Sequence, residues 1–413
     1  MGLSLVPRIK PFLGWKEIKS ALFPSKNAVC EFERAFSSKF NAKEGIMFSH
    51  GRVGLFSFFR AMEIENKEVI CPAYTCVVVA HSVVLSGNKP VFIDCEKDSP
   101  NMSLSMLEEA ITNETRAVIV THLFGFPMQV HEVNRIIRNA EQKFGTKIYV
   151  IQDVAHSFGC KIQGDFVSQH GDIAFYGLNI SKIITSTFGG IITTDSEIIA
   201  SKLKSFRDEN FKERSVFGRV FKVIYLIAVT VVFRSQIVYK LVNKIERRGL
   251  INSFTKYYDE DLIDFPADWK EIPTNSDANV GLVQLQKYDE MIENRRKYAQ
   301  YYKKNIVDSK YFIFYQENDF TTYSQIPGKT INRTELINYA LKRNVQLGEL
   351  IEYCIPKMGA YNKNKLFEPK LFPESLYNSN HMVNLPVSNY FRLSNAKKVC
   401  KVVNEYVAKK NNG

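Results

Sequence analysis

Ile148-Tyr-Val-Ile-Gln-Asp153-Val-Ala-His156 is the stretch that decides the fold. A short apolar run ends in a carboxylate, which reads as a buried strand meeting a polar edge. Similar runs precede it at Lys67-Glu-Val-Ile-Cys71, Pro90-Val-Phe-Ile-Asp94 and Arg116-Ala-Val-Ile-Val-Thr121. Segments of helical spacing lie between them, at 103–112 and 130–143. Strand–helix alternation predicts a mostly parallel sheet covered by helices on both faces, an α/β architecture. Ligands of such sheets bind beyond the carboxyl ends of the strands, where Asp153 and His122 fall.

The next segments extend the pattern. Gly171-Asp-Ile-Ala-Phe-Tyr-Gly177-Leu-Asn179-Ile-Ser-Lys182 leads an apolar strand to a lysine, and Phe188-Gly-Gly-Ile-Ile-Thr-Thr-Asp195 follows with a glycine pair. A lysine amine and a strand-end carboxylate are what pyridoxal phosphate (PLP) requires. The amine condenses with its aldehyde, and the carboxylate keeps the ring nitrogen protonated. A buried strand-end Asp beside a surface Lys fits the same two residues. The pair alone leaves both readings open.

At 413 residues, with 45% apolar and 24% charged residues, the chain is long enough for a large core and two domains. We expect residues 1–290 to form an N-terminal arm and a large domain, with a basic, apolar insertion at 212–270. Residues 291–413 are expected to form a smaller α+β domain. A helix is predicted near 29–40 and a long one over about 277–305. Strands near 311–315 and 322–326, and helices at 334–343 and 396–409, belong to the small domain. The cysteines at 30, 71, 76, 95, 160, 354 and 400 are scattered without a CxxC pair. That spacing predicts reduced thiols rather than a disulfide or metal framework. The opening Met1-Gly-Leu-Ser-Leu-Val lacks a basic-then-apolar leader pattern, so a cytoplasmic enzyme is expected.

The net charge is +12, and residues 201–250 carry twelve Lys/Arg against four Asp/Glu. Inside this window Val223-Ile-Tyr-Leu-Ile-Ala-Val-Thr-Val-Val-Phe233 is an uncharged run of eleven, shorter than the ~20 residues a bilayer requires. Three readings stand: a buried or dimer-interface helix, a helix lying on an anionic membrane face, and a lid whose cations meet a nucleotide diphosphate. Nucleic acid is not an expected partner, because the charge flanks an apolar run and no recognition motif is present.

Taken in order, the motifs resemble those of the DegT/StrS group of PLP-dependent sugar aminotransferases. Ser49-His-Gly51-Arg52 resembles the family's phosphate loop, and Ile70-Cys-Pro72-Ala-Tyr-Thr75-Cys76 its Val-Pro-x-Tyr/Phe-Thr-Phe segment. Pro90–Asp94, His122-Leu-Phe-Gly125, Asp153-Val-Ala155-His156, Ser181-Lys182, Gly281-Leu-Val-Gln284-Leu285 and Asn384-Leu-Pro386 match further motifs. The resemblance implies the PLP-dependent transferase fold type I and a homodimer with sites at the subunit interface. It also implies that Lys182 and Asp153 are catalytic, with Lys182 forming the Schiff base. Gly51, Arg52, Cys76, Ala155, His156, Gly177 and Asn179 then stand at the cofactor-binding positions. For Gly51 an ordinary glycine turn, and for His156 a core histidine, are the alternative readings of the residues themselves. The chain departs from the family pattern in three places, one being that the family's phosphate-binding Asn from the neighbouring subunit has no counterpart near Lys270. Gly177 stands where a phosphate-binding Ser is usual, and Cys76 where an aromatic stacks on the ring. The implied reaction moves an amino group, with glutamate as donor, onto a nucleotide-linked keto sugar in cell-surface polysaccharide (O-antigen) or related glycan synthesis. Two rivals are a PLP-dependent sugar dehydratase, in which His replaces the Lys, and a non-catalytic, membrane-associated homologue.

Overall fold

The computed structural model describes residues 5–246, 258–317, 320–363 and 372–412. Arg247 and Arg248, counted in the basic window, lie outside the described residues. A seven-stranded sheet in the order β1-β9-β8-β5-β4-β2-β3 organises the large domain. Its strands are β1 (Glu44–Phe48), β2 (Glu68–Pro72), β3 (Lys89–Ile93), β4 (Thr115–Thr121), β5 (Tyr149–Asp153), β8 (Ile173–Gly177) and β9 (Gly190–Thr194), while β6 (Lys161–Ile162) and β7 (Asp165–Phe166) pair with each other between β5 and β8 in the chain. The pairs β2–β3, β2–β4, β4–β5 and β5–β8 are parallel. Strand β9 runs antiparallel between β8 and β1. The sheet is therefore mixed and mostly parallel, in agreement with the strand–helix alternation.

Both faces of the sheet are covered. One core joins α2 (Ala28–Lys39) and α6 (Val130–Phe144) to the sheet through Phe36, Val118, Val150 and Ile137. The other joins α3 (Gly51–Ala61), α4 (Val77–Leu85) and α7 (Glu197–Asn210) through Phe58, Val79, Ile151 and Leu203. Alternate residues of β5 thus enter opposite cores, which is why it reads as a continuous apolar run. Each fully buried Val or Ile contributes about 1.5–3 kcal/mol of transfer free energy. Helix α6 stops at Gly145, whose φ of +64° gives the left-handed cap that closes a helix at least cost with glycine.

The long helix expected over 277–305 is interrupted. Residues Asn275–Gln286 (α10) and Tyr288–Asn305 (α11) meet at Lys287, whose backbone (φ −93°, ψ −3°) ends the first helix. A capping box starts α10: the Asp277 N–H donates to Thr274 Oγ1 at 3.2 Å, and the Thr274 N–H donates to Asp277 Oδ2 at 3.1 Å.

The small domain carries the antiparallel sheet β10-β11-β12 (Ile313–Phe314, Ile326–Lys329, Met382–Leu385) against the helices Arg333–Lys342 and Leu393–Asn411. The strand predicted near 322–326 begins only at Ile326. Thr322 and Ser324 instead donate backbone hydrogen bonds to Gly125 and Phe124, at 3.2 and 3.0 Å. The β-favouring residues there pair with the loop after β4 rather than with the sheet. The arm crosses to this domain as well: Val6 bridges Val345, and Ile9 bridges Val387.

The apolar run of the basic window sits in a longer helix, α8 (Val216–Arg234), followed by α9 (Gln236–Glu246). Nineteen residues replace the eleven read as uncharged, because Arg219 and Lys222 interrupt an apolar pattern that begins at Val216. By length and composition α8 is apolar enough to cross a membrane, and 17% of its apolar window is buried.

Candidate active site

The strand ends bring the predicted residues together. Asp153 closes β5 and is buried. The parallel register sets Thr121 of β4 beside it, and the Thr121 hydroxyl donates to Asp153 Oδ2 at 3.0 Å. The Ala155 N–H donates to Oδ1 at 3.1 Å. Behind Thr121, the Thr75 hydroxyl approaches at 3.4 Å. Burial raises the Asp153 carboxyl to about 6, against the opposing effects of the Ala155 N–H, the Lys182 charge and Thr121. Among the described residues no cation is in ion-pair contact with this carboxylate, and a protonated ring nitrogen would supply one.

Lys182 follows β8 in a tight loop. Its N–H donates to the Asn179 carbonyl at 3.0 Å, and the Asn179 side-chain oxygen accepts from the Ser181 N–H and hydroxyl at 3.0 and 2.7 Å. Asn179 therefore spends its carbonyl oxygen on shaping the loop that aims Lys182. Burial lowers the Lys182 ammonium from its ordinary value, while Cys76 and Asp153 act in the opposite direction. A methyl group placed on Gly177 would stand 3.4 Å from Lys182 Cε and 3.8 Å from Ala155 Cβ. Gly177, Ala155 and Lys182 thus wall one small space.

An uncapped helix N-terminus lies at its edge. Helix α3 begins at Gly51 with no side-chain cap on its N-terminus. A Cβ on Gly51 would lie 3.0 Å from the Tyr176 carbonyl oxygen and 3.1 Å from Gly177 Cα. Only glycine allows this approach, and it sets leading N–H groups and a helix dipole beside the end of β8. Arg52 is the second residue of the same helix. Its charge reaches the His50 and His81 rings. Cys76 stands at the head of α4, close enough to Lys182 to act on its amine.

His156 is buried, stacks on Phe124 at 5.9 Å between centroids, and leaves Nδ1 without a partner among the described residues. Burial drives it well below its ordinary range, so the ring is neutral. Phe124 holds a left-handed backbone (φ 58°) that is costly for a bulky residue. His122 is structural. Its Nδ1 accepts from the Met128 N–H at 2.9 Å, which leaves Nε2–H to donate to Gln152 Oε1 at 2.8 Å. Burial sets its pKa at about 4.

Sequence reasoning did not single out Thr121, Arg295 or Asn389. Arg295, from α11, lines a narrow crevice with Lys182, Asn389, Phe12 and Lys10. Its Nη1 donates to the Tyr323 and Ser324 carbonyls at 3.0 and 2.8 Å, while Nε and the Asn389 amide have no partner among the described residues. The Asn294-Arg-Arg-Lys run gives no sign of which arginine turns inward. Thr121 was legible in principle, being the strand-end residue aligned with Asp153.

A buried strand-end carboxylate, a lysine with a depressed pKa and an uncapped helix N-terminus around one space define an enzyme of the PLP-dependent transferase fold type I. The donor set and the orphaned His156 nitrogen fit that cofactor. The family model for the DegT/DnrJ/EryC1/StrS aminotransferase family matches residues 17–227 and 230–404, and the chain belongs to this family. It is 25% identical to GDP-perosamine synthase of Escherichia coli O157:H7 over 99% of this chain and 100% of that protein. It is 32% identical to an uncharacterised protein of Methanocaldococcus jannaschii over 49% of this chain, spanning 53% of that relative. Among solved structures, putative sugar aminotransferase Spr1654 from Streptococcus pneumoniae in its PMP form superimposes with a TM-score of 0.77. The identity is 18%, with 98% of this chain and 99% of that one covered.

Proposed function

We propose that this chain transfers an amino group from glutamate to a keto sugar carried on a nucleotide diphosphate, in the cytoplasm. The observation that carries the reading is the placement of Lys182 against Ala155 and Gly177, beside buried Asp153. Family membership supports transamination, and full-length similarity to GDP-perosamine synthase supports a nucleotide-linked sugar.

PLP, when bound, supplies an aldehyde that condenses with amines and a ring that withdraws electrons from the adjoining carbon. Lys182 is the residue whose amine would hold it. Once displaced by the donor, the Lys182 amine is a base whose lowered pKa enlarges its neutral fraction near pH 7. It takes the proton from the donor carbon that bears nitrogen, and later delivers one to the sugar carbon that receives the amine. Asp153, whose two oxygens are fixed by Thr121 and Ala155, would supply the negative charge that keeps the ring nitrogen protonated. Gly51 and Arg52 would hold the phosphate at the head of α3, and neutral His156 would offer a hydrogen bond from the rim. The Lys182 side chain argues against the dehydratase reading, in which His stands at this position. The family resemblance further supports a homodimer and a product used in cell-surface polysaccharides such as O-antigen.

The visible spectrum with PLP tests this. A lysine-linked band should form, bleach with glutamate, and be absent as such in Lys182→Ala. Nucleotide-linked keto sugars should restore it, with mass spectrometry showing an amine in place of the carbonyl oxygen. A band that glutamate leaves untouched refutes the donor, and no band in the native protein refutes the enzyme reading.

A further inference from the structure

Helix α8 is fastened along one side only. Lys222, Leu226 and Thr230, spaced four apart, are its buried residues. Around them Leu226 packs with Leu13, Ala21 and Val280, and Val223, Val229 and Ile180 join the cluster. The opposite side is apolar and exposed: Phe217 is 81% accessible and Val216 70%, with Val220, Phe221 and Ile224 also exposed. Helix α9 continues this surface with Ile237 and Leu241. Helix α1 (Trp15–Leu22), which packs on α8, adds Trp15, Leu22 and the following Phe23. An apolar surface of this extent on a folded protein marks a contact.

The charges choose the partner. No Asp or Glu occurs between Glu213 and Glu246, whereas Arg219, Arg234, Lys240 and Lys244 are exposed there. Arg219, Lys240 and Lys244 have no carboxylate partner among the described residues. On α1, Lys16 and Lys19 are exposed, and Glu17 is buried and engaged by Gln284 and Lys287. A second copy related by a two-fold axis would set these cations against their own kind. An anionic lipid surface meets both features, taking apolar side chains into the acyl boundary and pairing cations with head groups.

We propose that α8, α9 and α1 form a docking face for the anionic surface of a membrane, with α8 lying in its plane. A spanning arrangement would strip Lys222, Leu226 and Thr230 from the core and uncover Leu13, Ala21 and Val280. Ile180, two residues before Lys182, is one of the groups packed under α8. The docked enzyme would therefore present its site beside the lipid.

Flotation of the full chain with phosphatidylcholine vesicles, with and without phosphatidylglycerol, tests the proposal. The protein should rise with the anionic vesicles at low salt and be released as salt increases. Phe217→Ser with Phe221→Ser should lower partitioning about tenfold or more. Lys240→Gln and Lys244→Gln should each lower it about fivefold. All variants should keep the thermal midpoint and lysine-linked PLP band of the native chain, which separates a lost contact from a lost fold or site. Absence of flotation at low salt overturns the proposal. So does sedimentation showing a dimer that Phe217→Ser with Phe221→Ser dissociates while lipid binding is absent, which would make the face a self-association surface.

Discussion

Replacing Asp153 by Asn should stabilise the cofactor-free protein at neutral pH while destroying its function. In the folded chain burial raises the Asp153 carboxyl from 3.8 to about 6. A raised carboxyl means that the folded state binds the proton more tightly than the unfolded chain. Its contribution to stability is complete below the unfolded value and is lost as pH climbs from about 4 to about 6. A shift of about two units corresponds to about 3 kcal/mol, the free energy of keeping a charge in a site built to be neutralised by something else. Asn fits the same contacts: its carbonyl can accept the Ala155 N–H, and its amide can face the Thr121 oxygen. Urea unfolding of both proteins without PLP, between pH 4 and pH 8, is the assay. The variant's advantage should be near zero at the acid end, grow through the window, and level off near 3 kcal/mol. PLP should then raise the midpoint of the native protein more than that of the variant. A variant that is less stable at pH 8, by an amount that does not change with pH, would show that Asp153 is satisfied by the protein alone and would refute the argument.

Three further outcomes follow from the same geometry. Thr121→Val removes the hydroxyl that favours the ionised carboxylate, worth about 1.5–3 kcal/mol. The acid limb of kcat/KM should then move up by about one to two pH units, and an unmoved limb would deny Thr121 this role. Lys182→Ala should lower turnover at least ~100-fold, with recovery by an added small amine as the check that a proton carrier was lost. Gly281→Ala places a Cβ 2.7 Å from the Phe32 ring, where α10 crosses α2. It should cost about 1–3 kcal/mol in urea unfolding while the cofactor band of the folded protein stays unchanged.

The parallel strands were legible because each feeds two cores and so reads as an unbroken apolar run. Asp153 and Lys182 were legible because their chemistry is rare at the ends of such runs. The antiparallel insertion of β9 between β8 and β1 was not, since its pairing with β1 joins residues more than a hundred positions apart. The strand near 322–326 was displaced because Thr322 and Ser324 satisfy the loop after β4. Lys287 carries no helix-breaking signal, so the joint between α10 and α11 follows from how each packs. Asn179 was read as a cofactor-binding position, and the structure ties its side-chain oxygen to Ser181. Arg295 and Arg296 are adjacent and alike in sequence, and only the packing of α11 turns one of them toward Lys182.

The arm that walls the crevice is held by residues at the other end of the chain. The Val6 N–H donates to the Asn344 carbonyl at 3.0 Å, the Gln346 N–H to Val6 at 2.9 Å, and the Ser388 hydroxyl to Lys10 at 2.8 Å. Contacts so distant in sequence carry a large loop-closure cost and form late. During synthesis the large domain can collapse around its sheet long before residue 388 leaves the ribosome. The segment from Ile9 to Phe12 can by then be held only at its far end, where Gln284 Nε2–H donates to the Phe12 carbonyl at 2.8 Å, and its bridge from Ile9 to Val387 is still missing. The last step of folding is thus also the step that finishes the wall beside Lys182, and a truncated chain would have an open site.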